Sequence, residues 1–445
     1  MESMRLGPPF MGITDNPFDQ TGRCLFSCNF FCRNDRLQRR PGWTEILNLT
    51  QSNLGIRGFG LKRGKSLLVA VGEQDARVNV TLIESDGTTS GTDVSTTFGI
   101  TARSPFTFSS MYGKLYMAGG GKILVVDPDT LTCSEMIMSA GKESASKTYL
   151  KSSPPARSIC PHLGRMWYAG FDAADLLVYG VLADDLPYVD DTSWIADTYH
   201  VSYQPWHILY SDSAHPDQIQ SLHNFALQDD GAPITAIHPF RGGLLILTTA
   251  AAWYLSGTDD SSWRIDKIGK GGCIAPASVD SNENDVFWLG PDGLYWMDSN
   301  LKINAVPGLD WLWNGDSPIF AALLGSNTRV FPRFRLGLHP DPIREKACGV
   351  CDHKQGGYLL SRVLYNYDPN CVFLYDVGIW VDAATKTCSF IAPCPVVLGS
   401  GGDTDLGSTT SDILGGSGLS MLAMQAGDYR DGGVFSTTFI TTPVP

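Results

Sequence analysis

The sequence predicts an all-β protein, a β-propeller of six or seven four-stranded blades with loop insertions near 180–230 and 300–350. Composition is the first observation. Charged residues make up 18% of the chain against the ~25% usual in globular domains, and aromatic residues reach 11%, a balance that suits strands better than solvated helices. The second is a recurring pattern: a Gly-containing turn, a short apolar run, a second turn and another apolar run, which reads as a β-hairpin. The third is its spacing, 49, 51 and 78 residues from Gly64 through Gly113 and Gly164 to Gly242. Hairpins repeated every ~40–50 residues mark radially stacked blades, because one blade alone cannot bury both of its faces.

Taken in order, the copies begin with Arg63-Gly64-Lys65 followed by Leu67 to Val71 and Val78 to Ile83. Next come Tyr112-Gly113-Lys114 with Leu115 to Ala118 and Ile123 to Val126, then Leu163-Gly164-Arg165 with Met166 to Ala169 and Leu176 to Tyr179. Arg241-Gly242-Gly243 leads Leu244 to Leu247 and Ala252 to Leu255, and Asn284-Asp285 leads Val286 to Leu289 and Leu294 to Met297. Gln355-Gly356-Gly357 precedes Tyr358 to Leu360 and Val372 to Tyr375, and the last copy runs from Leu419 to Met424 and then Val434 to Phe435. A two-domain β-sandwich also alternates strands and turns, but it does not repeat one turn-strand-turn-strand order along a whole chain. Residues 1–50 read as an N-terminal arm that supplies a closing strand to the C-terminal blade, and 51–445 as the propeller.

Charge and thiols narrow the function classes. The formal net charge is −13, which argues against affinity built on phosphate neutralisation. Residues 1–65 are nevertheless basic, at +5, while no Lys or Arg lies between Arg165 and Arg241, a stretch with eleven Asp. The longest uncharged apolar run, Gly242 to Thr258, is 17 residues, short for a helical span and β-like in composition, so no membrane insertion is expected. The first residues lack the apolar core of a signal peptide, which points to synthesis in a cytosol. Eleven cysteines spread over 445 residues suit buried free thiols better than a disulfide framework.

Four segments carry a more specific signal: Asp230-Gly231-Ala232-Pro233-Ile234-Thr235, Gly272-Cys273-Ile274-Ala275-Pro276-Ala277-Ser278-Val279, Val286-Phe287-Trp288-Leu289-Gly290-Pro291-Asp292-Gly293-Leu294-Tyr295, and, more loosely, Arg39-Arg40-Pro41-Gly42-Trp43. In these segments the chain resembles the β-propeller tail proteins of tailed bacteriophages, closely over 229–297 and loosely at 37–46 and 419–435. The resemblance implies a virion component, the nozzle or DNA-stabilisation ring that closes a short tail beneath the portal and adaptor. It would be assembled in the host cytoplasm as a ring of six copies, in contact with head-to-tail adaptor or portal proteins and with other tail proteins or fibres. DNA would pass nearby without sequence-specific binding. The resemblance carries over no catalytic residue and no cofactor.

Other chemistry finds little footing. Cys348 and Cys351 form one Cys-x-x-Cys knuckle that Cys371, Cys388 or Cys394 would have to complete as a zinc site, and a second knuckle is missing. Cys24, Cys28 and Cys32, spaced by four, read as core packing. His200, His207, His215, His223 and His238 lack the close pairing of metal ligands, but a pH-sensitive contact with neighbouring Asp residues is open to them. Gly119-Gly120-Gly121-Lys122 lacks the following Ser or Thr and helix of a phosphate loop and reads as a hairpin turn. No nucleophile elbow, zinc-protease helix or EF-hand loop occurs, so the expectation is a protein that is not an enzyme. A rival reading is a glycan-binding propeller for host-surface recognition, using Trp194, Trp206, Trp311 and Trp313 as stacking platforms. For the ring, the candidate subunit interface pairs the basic cluster Arg33, Arg36, Arg39 and Arg40 with Asp184, Asp185, Asp190 and Asp191 of the adjacent copy.

Overall fold

The computed structural model describes residues 89–99, 106–119, 121–139, 148–179, 198–227, 231–313, 336–368, 371–391 and 394–395, together with the strands outside those ranges. It is all-β and built of antiparallel propeller blades; among the described residues seven successive blade sheets occur. The chain divides into two compact units, Leu61–Ala277 and Met1–Gly60 with Ser278–Pro445.

In Leu61–Ala277, blade I contains Ser66–Gln74, Arg77–Glu84 and Thr89–Asp93. Val78, Val80 and Leu82 are buried at alternate positions, the period of a strand with one face in the core. A short helix, Val94–Phe98, follows because the Asp93 carboxylate accepts from the Thr96 N–H at 2.9 Å and caps its first turn. Blade II is Thr107–Met111, Lys114–Ala118, Leu124–Asp127 and Thr132–Glu135. Blade III is Ser158–His162, Arg165–Ala169, His207–Tyr210 and Asn224–Ala226, and blade IV is Ile234–Phe240, Gly243–Thr248, Ala251–Ser256 and Arg264–Lys270.

Blade III shows why the apolar runs are continuous rather than alternating. Met166 and Tyr168 pack into one buried cluster with Met111, Tyr116 and Val125 of blade II, whereas Trp167 and Ala169 pack into another with Ile237, Leu244 and Ile246 of blade IV. Successive side chains of a strand point to opposite faces, and here both faces are covered. Blade III also carries the first insertion, which opens after Ala169 and closes at His207. Within it Ala174–Tyr179 pairs with Thr198–Tyr203 and with Tyr149–Leu150 in a separate three-stranded sheet. This corrects the expected hairpin of Met166–Ala169 with Leu176–Tyr179. Arg165–Ala169 pairs instead with Ser158–His162 and, across the insertion, with His207–Tyr210.

In the other unit, blade V is Asp280–Ser281, Val286–Leu289, Leu294–Met297 and Ile303–Ala305. The second insertion then holds the short helices Asp310–Trp313 and Asp341–Arg344 and the strand Leu336–Leu338. Blade VI is Gly349–Asp352, Gly357–Asp368, Cys371–Asp382 and Cys388–Ile391. Its central strands are 12 residues each, so the partner of Tyr358 is Val381, and Val372–Tyr375 lies at the far end of the hairpin rather than opposite Tyr358–Leu360. Leu336–Leu338 pairs with that extended end. Cys24–Cys28 runs parallel to Cys388–Ile391 and antiparallel to Thr438–Thr441. Blade VII is Val397–Ser400, Ile413–Ser417 and Ser420–Gln425, completed by Gly42–Asn48 in antiparallel register.

One ion pair ties blade V to blade VI. Lys386 Nζ lies 2.6 Å from Asp285 Oδ2, 4.3 Å from the Trp296 ring centroid and within hydrogen-bond reach of the Ala383 carbonyl. Cys133, Cys160, Cys273, Cys348, Cys351, Cys388 and Cys394 are buried free thiols. Burial pushes the Cys133 thiol up to about 12. Among the described residues no helix is long and apolar enough to cross a membrane.

Candidate functional site

The turns that open blades II, III and IV share one local geometry. Tyr112-Gly113, Leu163-Gly164 and Arg241-Gly242 all have positive φ at both positions, 50° and 77°, 50° and 71°, and 50° and 78°. This is the two-residue type I′ hairpin, whose twist matches that of the flanking strands. Glycine takes the second position at no steric cost, but the first position favours Asn, Asp or Gly, and Tyr, Leu and Arg there are strained.

Hydrogen bonds bring these turns to one edge. The Tyr112 hydroxyl donates to the Gly164 carbonyl at 3.4 Å, and the Ala214 N–H donates to the same oxygen at 2.8 Å. Arg165 then reaches across to blade IV: Nη2 bonds both Asp260 oxygens at 3.0 and 3.1 Å, and Nη1 donates to the Ser211 carbonyl at 2.9 Å. Its guanidinium lies over the rings of Tyr210 and Trp263 at 5.5 and 5.6 Å. Below it, Trp167, Tyr210, Phe225 and Trp263 form one aromatic cluster, with Trp167 and Trp263 centroids 5.1 Å apart. Burial lowers the pKa of His162 at the same turn, so its imidazole is neutral near pH 7.

Three of the four exposed large hydrophobic side chains among the described residues lie on this edge: Tyr112 at 61%, Leu163 at 40% and Leu222 at 84%. The turns 111–114, 127–132, 162–165, 211–223, 240–243 and 257–263 hold six Asp against three Lys or Arg. Lys114 meets Asp127 at 3.9 Å. Asp212 accepts from Tyr149 OH at 3.0 Å and Gln220 Nε2 at 2.6 Å, and His223 Nδ1 lies 3.3 Å away. Asp259 folds its loop onto itself through Ser261 and Ser262, and the Ser261 hydroxyl bond holds this exposed carboxyl below its ordinary pKa. The edge is therefore apolar patches set in acidic loops.

The residues anticipated from sequence fall unevenly on this picture. Arg33, Arg36 and Arg39 belong to a hairpin of its own, Phe30–Arg33 with Arg36–Arg39, in which Arg33 and Arg36 are register partners. Arg40, Asp184, Asp185, Asp190 and Asp191 lie outside the described residues, as does Trp194. His223 does face an Asp, whereas His207 instead accepts from the Gln204 N–H at 2.7 Å and its pKa is lowered by burial. Trp206 stacks on His207 with centroids 6.3 Å apart. Cys351 is buried in Gly349–Asp352 with Cys348 just before it, and no group of three metal-ligating side chains occurs among the described residues. Lys122 pairs with Glu135 at 2.7 Å, and a Cβ at Gly119 would meet the Phe106 ring at 2.8 Å, so Gly119 gives room to that ring. From sequence Tyr112 and Leu163 read only as turn residues and Leu222 is not singled out, because residue type alone does not show which apolar side chains stay exposed. The available signal is a bulky residue directly before the Gly of an I′ turn.

The segments 231–237, 271–279 and 286–295 lie in and between blades IV and V, where they fix backbone. Thr235 Oγ1 donates to the Leu247 carbonyl at 3.1 Å. A Cβ at Gly272 would sit 2.2 Å from the Thr249 carbonyl oxygen, and the next N–H, of Cys273, donates to Thr248 O at 2.8 Å. Ser278 Oγ, fully buried, accepts from the Leu289 N–H at 2.9 Å, and the turn after Leu289 closes with Gly290 N–H donating to Gly293 O at 2.8 Å.

No protein-family model matches the chain, and no curated protein sequence matches it. Among solved structures it is similar to PorZ, an essential surface component of the type-IX secretion system of Porphyromonas gingivalis, with a TM-score of 0.40 and 11% identity over 90% of this chain and 39% of that one. The chain thus spans about two fifths of the length of PorZ. It is also similar to a chain of the mitotic checkpoint complex (TM-score 0.42, 9% identity, 96% and 98% covered). A third is a quinoprotein alcohol dehydrogenase-like protein of Bacteroides thetaiotaomicron (TM-score 0.35, 9% identity, 76% and 65% covered). At these TM-scores the propeller assignment rests on the strand pairings themselves.

Proposed function

We propose that the chain is a structural, non-enzymatic subunit of a bacteriophage tail, six copies forming a nozzle or DNA-stabilisation ring below the portal and adaptor. The observation that carries this reading is the run of tail-protein-like segments over 229–297, whose members fix backbone in and between two consecutive blades. The stretch between Arg165 and Arg241, with eleven Asp and no Lys or Arg, supports it, since a wall of carboxylates repels phosphates and lets DNA slide past without gripping it. The test is electron microscopy of native particles with antibody labelling of this chain. A labelled ring at the tail is expected, and absence of the chain from purified particles overturns the reading. Saturable binding to one bacterial surface sugar, lost in Trp206→Ala, would favour host-glycan recognition instead.

A further inference from the structure

The edge formed by the turns of blades II to IV combines features that do not arise from folding alone. Single exposed apolar residues are ordinary on protein surfaces, but three of the four found here gather where two adjacent blades turn. Two of them, Tyr112 and Leu163, occupy left-handed positions at φ 50° that Asn would take with less strain. Strain retained at exposed positions, where the Tyr112 side chain makes only the 3.4 Å hydroxyl bond to the Gly164 carbonyl, points to a use outside the fold. Around these side chains six carboxylates face three cations, and since Lys114–Asp127 and Arg165–Asp260 cancel in pairs the excess is three negative charges.

A complementary partner must be apolar and basic. This chain contains such a segment: residues 1–65 carry +5, and the hairpin Phe30–Arg33 with Arg36–Arg39 combines Phe30, Phe31 and Leu37 with Arg33, Arg36 and Arg39. We propose that the turn edge carrying Tyr112, Leu163 and Leu222 is the docking surface for the Phe30–Arg39 hairpin of a second copy of this chain. Unlike patches meeting head to tail are what a cyclic oligomer requires, and in its ring geometry the proposal rests on the tail reading above. The apolar side chains supply most of the affinity, and the charges orient the encounter and hasten it. The acceptor for the basic hairpin is thereby placed on Asp129 and its neighbours rather than on Asp184 to Asp191.

The test is sedimentation velocity of the full chain over a range of protein and salt concentrations. Reversible association is expected, stronger at low salt. Leu222→Asp, at a side chain 84% exposed and outside the packed core, should raise the dissociation constant about tenfold, as loss of one apolar anchor does. Arg36→Glu with Arg39→Glu should weaken association similarly, and adding Asp129→Arg should recover part of it. A chain that stays monomeric at low salt, an association indifferent to either variant, or one that is independent of protein concentration overturns the proposal. Presence in particles is read separately, so a self-associating chain absent from virions would sink the tail reading and leave this interface standing.

Discussion

At the scale of single residues, the most consequential group is Lys386. Its side chain is 12% exposed and that of Asp285 is 10%, so each charge depends on the other for compensation. The ammonium also lies over Trp296 at 4.3 Å and Phe287 at 5.4 Å, where the ring faces are negative. Removing one partner leaves a buried charge with its desolvation cost uncompensated, whereas removing both can be nearly neutral. Lys386→Met should therefore lower the unfolding free energy by about 3–5 kcal/mol, and Lys386→Met with Asp285→Leu should recover most of that loss. Urea titration of the two variants checks this, and a double variant as unstable as the single one would show that the rings rather than the ion pair hold the two blades together. Neither residue announces itself in the sequence, because the pair spans 101 positions and is created by the packing of blade V on blade VI.

At the scale of elements, the type I′ turn makes a separable prediction. Tyr112→Asn places a residue tolerant of left-handed φ where Tyr is strained, and it gives up only a weak 3.4 Å bond at an exposed hydroxyl. It should stabilise the fold by roughly 0.5–1 kcal/mol in thermal unfolding while weakening self-association, opposite signs that no purely structural role for Tyr112 gives. These turns were also the most legible part of the fold. Tyr112-Gly113, Leu163-Gly164 and Arg241-Gly242 stand out in the sequence because Gly is nearly obligatory at the second position, and Tyr112-Gly113 and Arg241-Gly242 lead into the expected hairpin whereas Leu163-Gly164 does not. Partner choice was less legible. Leu176–Tyr179 has the composition of a blade strand and Met166–Ala169 is its nearer neighbour in sequence, yet it pairs with Thr198–Tyr203, against the preference of loop closure for the shorter connection. Likewise the 12-residue strands of blade VI slide the partner of Tyr358 to Val381, a register that apolar runs do not specify when both faces are buried. Of the candidate interface, the basic half was readable as a charge cluster, but the apolar half was not, since exposure is decided by which loops the blades bring side by side.

At the scale of the whole chain, the sheets join sequence-distant ends. Gly42–Asn48 completes the sheet of Ser420–Gln425, with Trp43 opposite Met424 and Leu47 opposite Met421. Cys24–Cys28 lies between Cys388–Ile391 and Thr438–Thr441 in a second sheet. A strand supplied from the opposite terminus leaves its sheet without one exposed edge, and its loss would uncover a row of backbone N–H and C=O groups ready to pair with another chain. Deletion of residues 1–50 therefore removes pairing from two sheets at once. At roughly 0.5–1.5 kcal/mol per backbone hydrogen bond, the six register pairs of Gly42–Asn48 alone put the loss at about 3 kcal/mol or more. Thermal unfolding of the truncated chain should show a lower midpoint and aggregation, and a synthetic peptide covering residues 24–48 should restore part of the midpoint when added in excess, because binding to the folded state stabilises it by mass action. Pairings so distant in sequence also slow folding, since their loop entropy is lost before any contact compensates for it, so refolding of the full chain should be slower than unfolding losses alone suggest. An unchanged midpoint after truncation would mean that the C-terminal sheets hold without the N-terminal strands, and the two termini would then be neighbours rather than partners.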